Sequence, residues 1–329
     1  MWWSKSANKL TQNNSDAVLQ NLQTNGVQLG VEELLAYQRK ASLLNLAPTK
    51  SLHGHMAGNY LAKTKGRGME FDEVRHYQPG DDIRAIDWRV TARTGKTHTK
   101  LYREEIERPI LLVTDLSHSM LFGSQLLFKS VQAAHIAALI AWHAKSKGDK
   151  VGGIVFNDLQ HKEIKPRSRQ TGVLRYLHAL TSIHEDSIQN WQQNKASNTD
   201  FFLQNCMRIR QVAKPGSLIY LISDVNHINE ESVKQLLLAA RHCELVVCHV
   251  VDSLEISLPD MPHKISVAVT DGQQNQQLVL GDTKTAAEYK NQAKLEQSHR
   301  MNLLNKSGIR VIDFSAGQAL ESQLASGVL

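Results

Sequence analysis

Beyond residue 109 the chain is divided by short runs rich in apolar residues, at 110–115, 151–156, 218–223, 244–251 and 309–314. Runs of that length with little polar alternation describe strands buried on both faces. Between them lie segments with helical spacing, at 124–147, 170–181, 200–213, 230–242 and 284–306. Strands that alternate with helices need crossover connections, and the stable solution is a mostly parallel sheet covered by helices. The expected fold class is therefore α/β, a mostly parallel sheet flanked by helices over 109–329. The helix at 124–147 is apolar on most sides (Leu126, Leu127, Val131, Ile136, Leu139, Ile140, Trp142), which suits a helix packed between a sheet and other elements. From Ile265 to Leu280, two alternating segments flank Asp271-Gly272, which reads as a hairpin inserted late in the sheet order.

The first strand runs straight into Asp115-Leu116-Ser117-His118-Ser119. Ligands of open α/β sheets bind just beyond the carboxyl ends of the strands. A carboxylate and two hydroxyls at alternate positions there offer three oxygens to a hard divalent cation, which Mg²⁺ would complete with water. Asp224 ends the run Leu218–Ser223 and brings a second carboxylate to the same edge. The structural alternative is that Asp115, Ser117 or Ser119 caps the helix that begins at Ser124. The pattern Asp-x-Ser-x-Ser resembles the metal-ion-dependent adhesion site of von Willebrand factor type A domains. That resemblance implies a von Willebrand type A-like, Rossmann-like sheet. It also implies a site for Mg²⁺ (or Mn²⁺) made by Asp115, Ser117, Ser119, Thr199 and a water-bridged Asp224. Thr199 comes from Asn198-Thr199-Asp200, with Thr171 as a competing candidate; His118 is expected to face away.

The remainder divides into a polar segment, 1–30, with low expectation of order, and an accessory region, 31–108. Leucines from Val31 to Leu46 recur at helical spacing, and Pro48 ends that helix. Next comes the block from Gly66 to Trp88, GRGMEFDEVRHYQPGDDIRAIDW, continued by Arg89-Val90-Thr91-Ala92-Arg93. It resembles the hallmark of a bacterial family of uncharacterised function, whose members join such a block to a von Willebrand type A-like domain. They are typically encoded beside MoxR-type AAA+ ATPases. The resemblance implies an adaptor or co-chaperone of a MoxR-type AAA+ ATPase, with a client protein supplying a Glu or Asp carboxylate to the cation. Residues 65–108 carry ten basic and nine acidic side chains. A phosphate-tracking surface would be lopsidedly positive. The expectation is instead an ion-paired brace, with Trp88, Phe71 and Tyr77 pinning it to the sheet domain.

A net charge of +6, from 38 basic and 32 acidic residues, is too weak to argue for a nucleic-acid partner. The three cysteines, Cys206, Cys243 and Cys248, have no metal-ligand spacing and read as free, buried thiols. Cys243 and Cys248 should face opposite sides of a sheet. The most apolar helical stretch, Ala133 to Ala144, contains His135 and His143 and is shorter than the roughly twenty residues a span needs. No apolar segment follows Met1-Trp2-Trp3. A cytoplasmic protein is expected, with peripheral association at the envelope. Val90 to Thr97 imitates the end of a P-loop without its leading glycine, no Gly-x-Ser-x-Gly elbow surrounds a serine, and His53-x-His55 has no cluster to complete a zinc site. The expected function is non-enzymatic protein binding. The rivals are a Mg²⁺-dependent hydrolase built on Asp115 and Asp224, and a metal-free scaffold.

Overall fold

The structure, a computed structural model, describes residues 16–43, 69–104, 108–193, 198, 200–270 and 275–326. Thr199, His53, His55, Gly66, Asp271 and Gly272 lie outside the described residues, as does the side chain of Phe71. The chain forms two compact units, one of Met1–Ala47 with Arg108–Leu329 and one of Pro48–Glu107.

The larger unit opens with helical residues 16–22 (α1), then α2 (Val31–Ala36) and a 3-10 segment, Tyr37–Leu43. Leu34, Tyr37 and Ala41 are buried in the same core as the long helix that follows the first sheet strand. The Trp142 indole N–H donates to the Leu34 carbonyl at 3.0 Å. Residues 31–43 therefore belong to the sheet unit, a correction to the accessory region expected over 31–108: their leucine face fills the sheet's core.

In the smaller unit, β1 (Met69–His76) pairs antiparallel with β2 (His98–Glu104), and α3 (Trp88–Thr94) lies between them in sequence. Its acids act mostly as caps. Asp87 accepts the N–H groups of Arg89 and Val90 at 3.0 and 3.1 Å, and Asp82 accepts that of Arg84 at 2.9 Å. Asp81 accepts the Gln78 N–H and also pairs with Arg75 at 2.7 Å. Turn and helix starts leave unpaired N–H groups, which short acidic side chains satisfy. Trp88, one of the residues expected to act as a pin, is 67% exposed.

The sheet unit continues through β3 (Pro109–Asp115), α4 (Lys129–Ser146), β4 (Lys150–Phe156), β5 (His161–Arg167), α5 (Arg169–Gln192) and α6 (Phe201–Val212). It ends with β6 (Leu218–Ser223), α7 (Glu230–Ala240), β7 (Glu244–Val251), α8 (Ser253–Ile256), β8 (Ile265–Thr270), β9 (Asn275–Leu280), α9 (Thr283–Lys306), β10 (Arg310–Ser315) and α10 (Leu320–Ala325). The main sheet runs β10-β7-β6-β3-β4-β5, parallel throughout except for β5 against β4. Alternate strand residues fill two cores. Leu112, Tyr220, Ile222 and Cys248 face α4 and α5, while Leu111, Leu221, Leu245 and Val247 face α6 and α7. Both faces are covered, as the expected α/β class requires. All three cysteines are free and buried.

Some element boundaries depart from expectation. β5 was not anticipated: its sequence, His-Lys-Glu-Ile-Lys-Pro-Arg, is that of an exposed edge, where charges and proline discourage further pairing. α5 runs on to Gln192, well past the expected end at 181, because Ile183, His184 and Ser187 bury one face of it. β8 and β9 form a separate two-stranded sheet and do not join the main one. Among the described residues no helix is long and apolar enough to cross a membrane.

Candidate metal centre

The connection from β3 leaves to one face through α4, and the connection from β6 leaves to the other through α7, yet β3 and β6 are neighbours. This divergence is the topological switch point, where open α/β sheets form their ligand crevice. Asp115 ends β3 and Asp224 follows β6, so the sheet itself brings the two predicted carboxylates together. Asp115 is completely buried. Its Oδ1 accepts the Ser117 N–H at 2.9 Å and its Oδ2 accepts the Ser223 hydroxyl at 2.7 Å. It caps a turn and no helix: α4 begins only at Lys129, after Phe128, without a side-chain cap. Ser117 is buried and its hydroxyl lies 3.4 Å from that of Ser119. His118 is exposed, and its N–H donates to Asp158 at 2.7 Å.

Asp224 is held more firmly. The Asn226 N–H and amide donate to its Oδ1 and Oδ2 at 3.1 and 2.8 Å. Between them, Val225 is buried with φ of +50°, a conformation that costs a β-branched residue on the order of 1–3 kcal/mol. The Val225 N–H bond to the Ser223 hydroxyl, 3.0 Å, helps to keep it there. The Lys129 ammonium, itself fully buried, sits 2.8 Å from Asp224 and 2.6 Å from Glu255 of α8. Beside this group a cavity of about 520 Å³ lies between the ends of β6 and β7 and helices α8 and α9. Its walls include Asp224, His249, Tyr289, Glu296 and Arg300.

The two carboxylates differ electrostatically. Burial, with the charge of Asp224 added, pushes Asp115 up to about 7. Burial acts the same way on Asp224, but the Lys129 charge and hydrogen bond, with Asn226 and Ser119, hold it below the ordinary range. Among the described residues, Asp115 hydrogen-bonds only neutral donors. A buried carboxylate in that position is stabilised by whatever positive charge reaches it. The donors around it, a carboxylate and two hydroxyls, fit a hard divalent cation. Among the described residues no three His, Cys, Asp or Glu side chains converge as a metal-ligating group.

Asp115, Ser117, Ser119 and Asp224 are therefore brought together as the sequence indicated. Thr199 lies outside the described residues. Thr171 is exposed in the first turn of α5. Sequence reasoning missed Ser223, Asn226, Lys129 and Glu255. One signal was present: Lys129 is the only Asp, Glu, Lys or Arg between Gln125 and Ala144.

Residues 73–300 match the family described as "Protein of unknown function DUF58". The chain belongs to that family. Among curated relatives, uncharacterized protein Mb1516 of Mycobacterium bovis and uncharacterized protein Rv1480 of Mycobacterium tuberculosis are each 29% identical to this DUF58 chain over 219 residues. The match spans 66% of this chain and 66% of each relative. Two solved structures are similar at low identity. An aerotolerance-related membrane protein from Bacteroides fragilis gives a TM-score of 0.40 at 14% identity, covering 67% of this chain and 98% of its own. A von Willebrand factor type A protein from Catenulispora acidiphila gives 0.34 at 11% identity, covering 70% of this chain and 42% of its own.

Proposed function

We propose that this DUF58 chain is a non-enzymatic, cation-dependent protein-binding module. Asp115, Ser117 and Ser119 would hold Mg²⁺ (or Mn²⁺), with Thr199 and a water-bridged Asp224 added by the resemblance to von Willebrand type A domains. The ion supplies positive charge that attracts an acidic side chain of a partner. The observation that carries the reading is Asp115, a buried carboxylate at the switch point whose ionisation no neighbouring cation supports. The cavity beside Asp224 gives a partner side chain room at the same edge. The partner proposed, from the family's resemblance alone, is a MoxR-type AAA+ ATPase in the cytoplasm. This protein would act as adaptor or co-chaperone towards a client that supplies a Glu or Asp carboxylate, with peripheral association at the envelope.

The direct test is electron paramagnetic resonance of added Mn²⁺, which reads the free ion. Wild-type protein is expected to remove one equivalent and Asp115→Ala none. Equal uptake by both would rule out this centre as the cation site.

A further inference from the structure

Lys129 presents an unusual arrangement for its position. It opens α4, its side chain is wholly buried, and its ammonium is shared between Asp224 at 2.8 Å and Glu255 at 2.6 Å. Burying an ammonium is costly unless its partners are well placed. Here the partners outnumber it. Asp224 and Glu255 both take the one ammonium, and Asp115 beside Asp224 hydrogen-bonds only neutral groups, so carboxylates exceed ammonium groups at this point. Glu255 also anchors the arrangement. Its other oxygen accepts the Asp252 N–H at 3.0 Å, and Asp252 in turn accepts the Ser124 N–H at 2.9 Å. The loop that follows Ser119 is thereby tied to α8.

Resting on the reading of Asp115, Ser117 and Ser119 as cation ligands, we propose that Lys129 and Glu255 set the charge of the centre without touching the ion. Lys129 is its fixed positive charge. Glu255 shares that charge with Asp224 and restores the deficit that a divalent ion fills. They are positioning residues, and a charge-setting role has a signature that a merely structural one lacks. Removing a structural brace weakens binding whichever partner is lost. Removing charge moves affinity in opposite directions.

The experiment is a calorimetric titration with MnCl₂ of the full chain and three variants, with circular dichroism to confirm folding. Lys129→Gln should bind Mn²⁺ tighter by about tenfold or more, and Glu255→Gln weaker by a similar factor, since one unit charge near a divalent ion is worth at least one decade in a partly buried site. The double variant restores the net charge and should return close to wild type. Glu255→Gln keeps an oxygen for the Asp252 N–H, so α8 retains its cap. If Lys129→Gln does not fold, a second ion decides: Glu255→Gln should lose more affinity for Tb³⁺ than for Mn²⁺, because the electrostatic part scales with ion charge. Weakening in both single variants, or equal losses for the two ions, overturns the charge-setting role while leaving the cation site intact. Failure of wild type and every folded variant to bind either ion overturns the cation site itself.

Discussion

At the scale of single residues, Asp115 has the most to reveal, because its environment inverts the usual behaviour of a carboxylate. Unfolded aspartate titrates near 3.9, whereas burial and the Asp224 charge push Asp115 up to about 7. The folded state therefore holds its proton to higher pH than the unfolded state. Stability from this group is fully present below about pH 4 and is lost as pH rises to about 7, on the order of 4 kcal/mol in all. In the absence of divalent ions, Asp115→Asn should remove that decline and exceed wild type in stability at pH 8. Urea unfolding at pH 5 and pH 8 reads the difference, and added Mg²⁺ should restore only the wild type. Parallel pH curves for the two proteins would deny Asp115 its buried, unsupported charge. Asp115 and Asp224 were readable in sequence because each terminates an apolar run. Lys129 was not: nothing local says that its ammonium ends beside a carboxylate 95 residues later in the chain.

Among elements, β4 is pressed on both sides by neighbouring backbone, by β3 and by β5. Gly153 has a φ of +152°, and a Cβ built there would come within 1.8 Å of the Leu112 carbonyl oxygen of β3. Next to it, a Cβ on Gly152 would meet the Ile164 carbonyl oxygen of β5 at 2.4 Å, where the pairing register shifts. Both contacts are backbone, so neither can turn aside. Gly153→Ala is expected to destabilise by roughly 3 kcal/mol or more, measured by urea denaturation, and a loss below about 1 kcal/mol would mean that the strands part easily. The buried strands were found from sequence because burial on both faces removes polar residues from them. β5 escaped because an edge strand carries the composition of a loop, and the end of α5 escaped because glutamine and asparagine masked the spacing of Ile183 and Ser187.

For the whole molecule, the division into two units assigns different work to the two halves of the N-terminal region. Residues 31–43 complete the sheet unit's core, so Leu34→Ala should cost about 2–5 kcal/mol in the urea unfolding of that unit; a cost near zero would return the segment to the accessory region. Asp87→Ala should act locally, loosening α3 by uncovering the two N–H groups it caps, without moving cation affinity at Asp115. The wish to bind a partner through a cation belongs to the sheet unit alone in this account. The most direct test exposes wild-type and Asp115→Ala baits to lysate of the cell that makes the protein, each with excess Mg²⁺ and with EDTA, and identifies captured proteins by mass spectrometry. An AAA+ ATPase or its client held by the wild-type bait in Mg²⁺ alone is the predicted result. The same proteins on both baits under both conditions would contradict it.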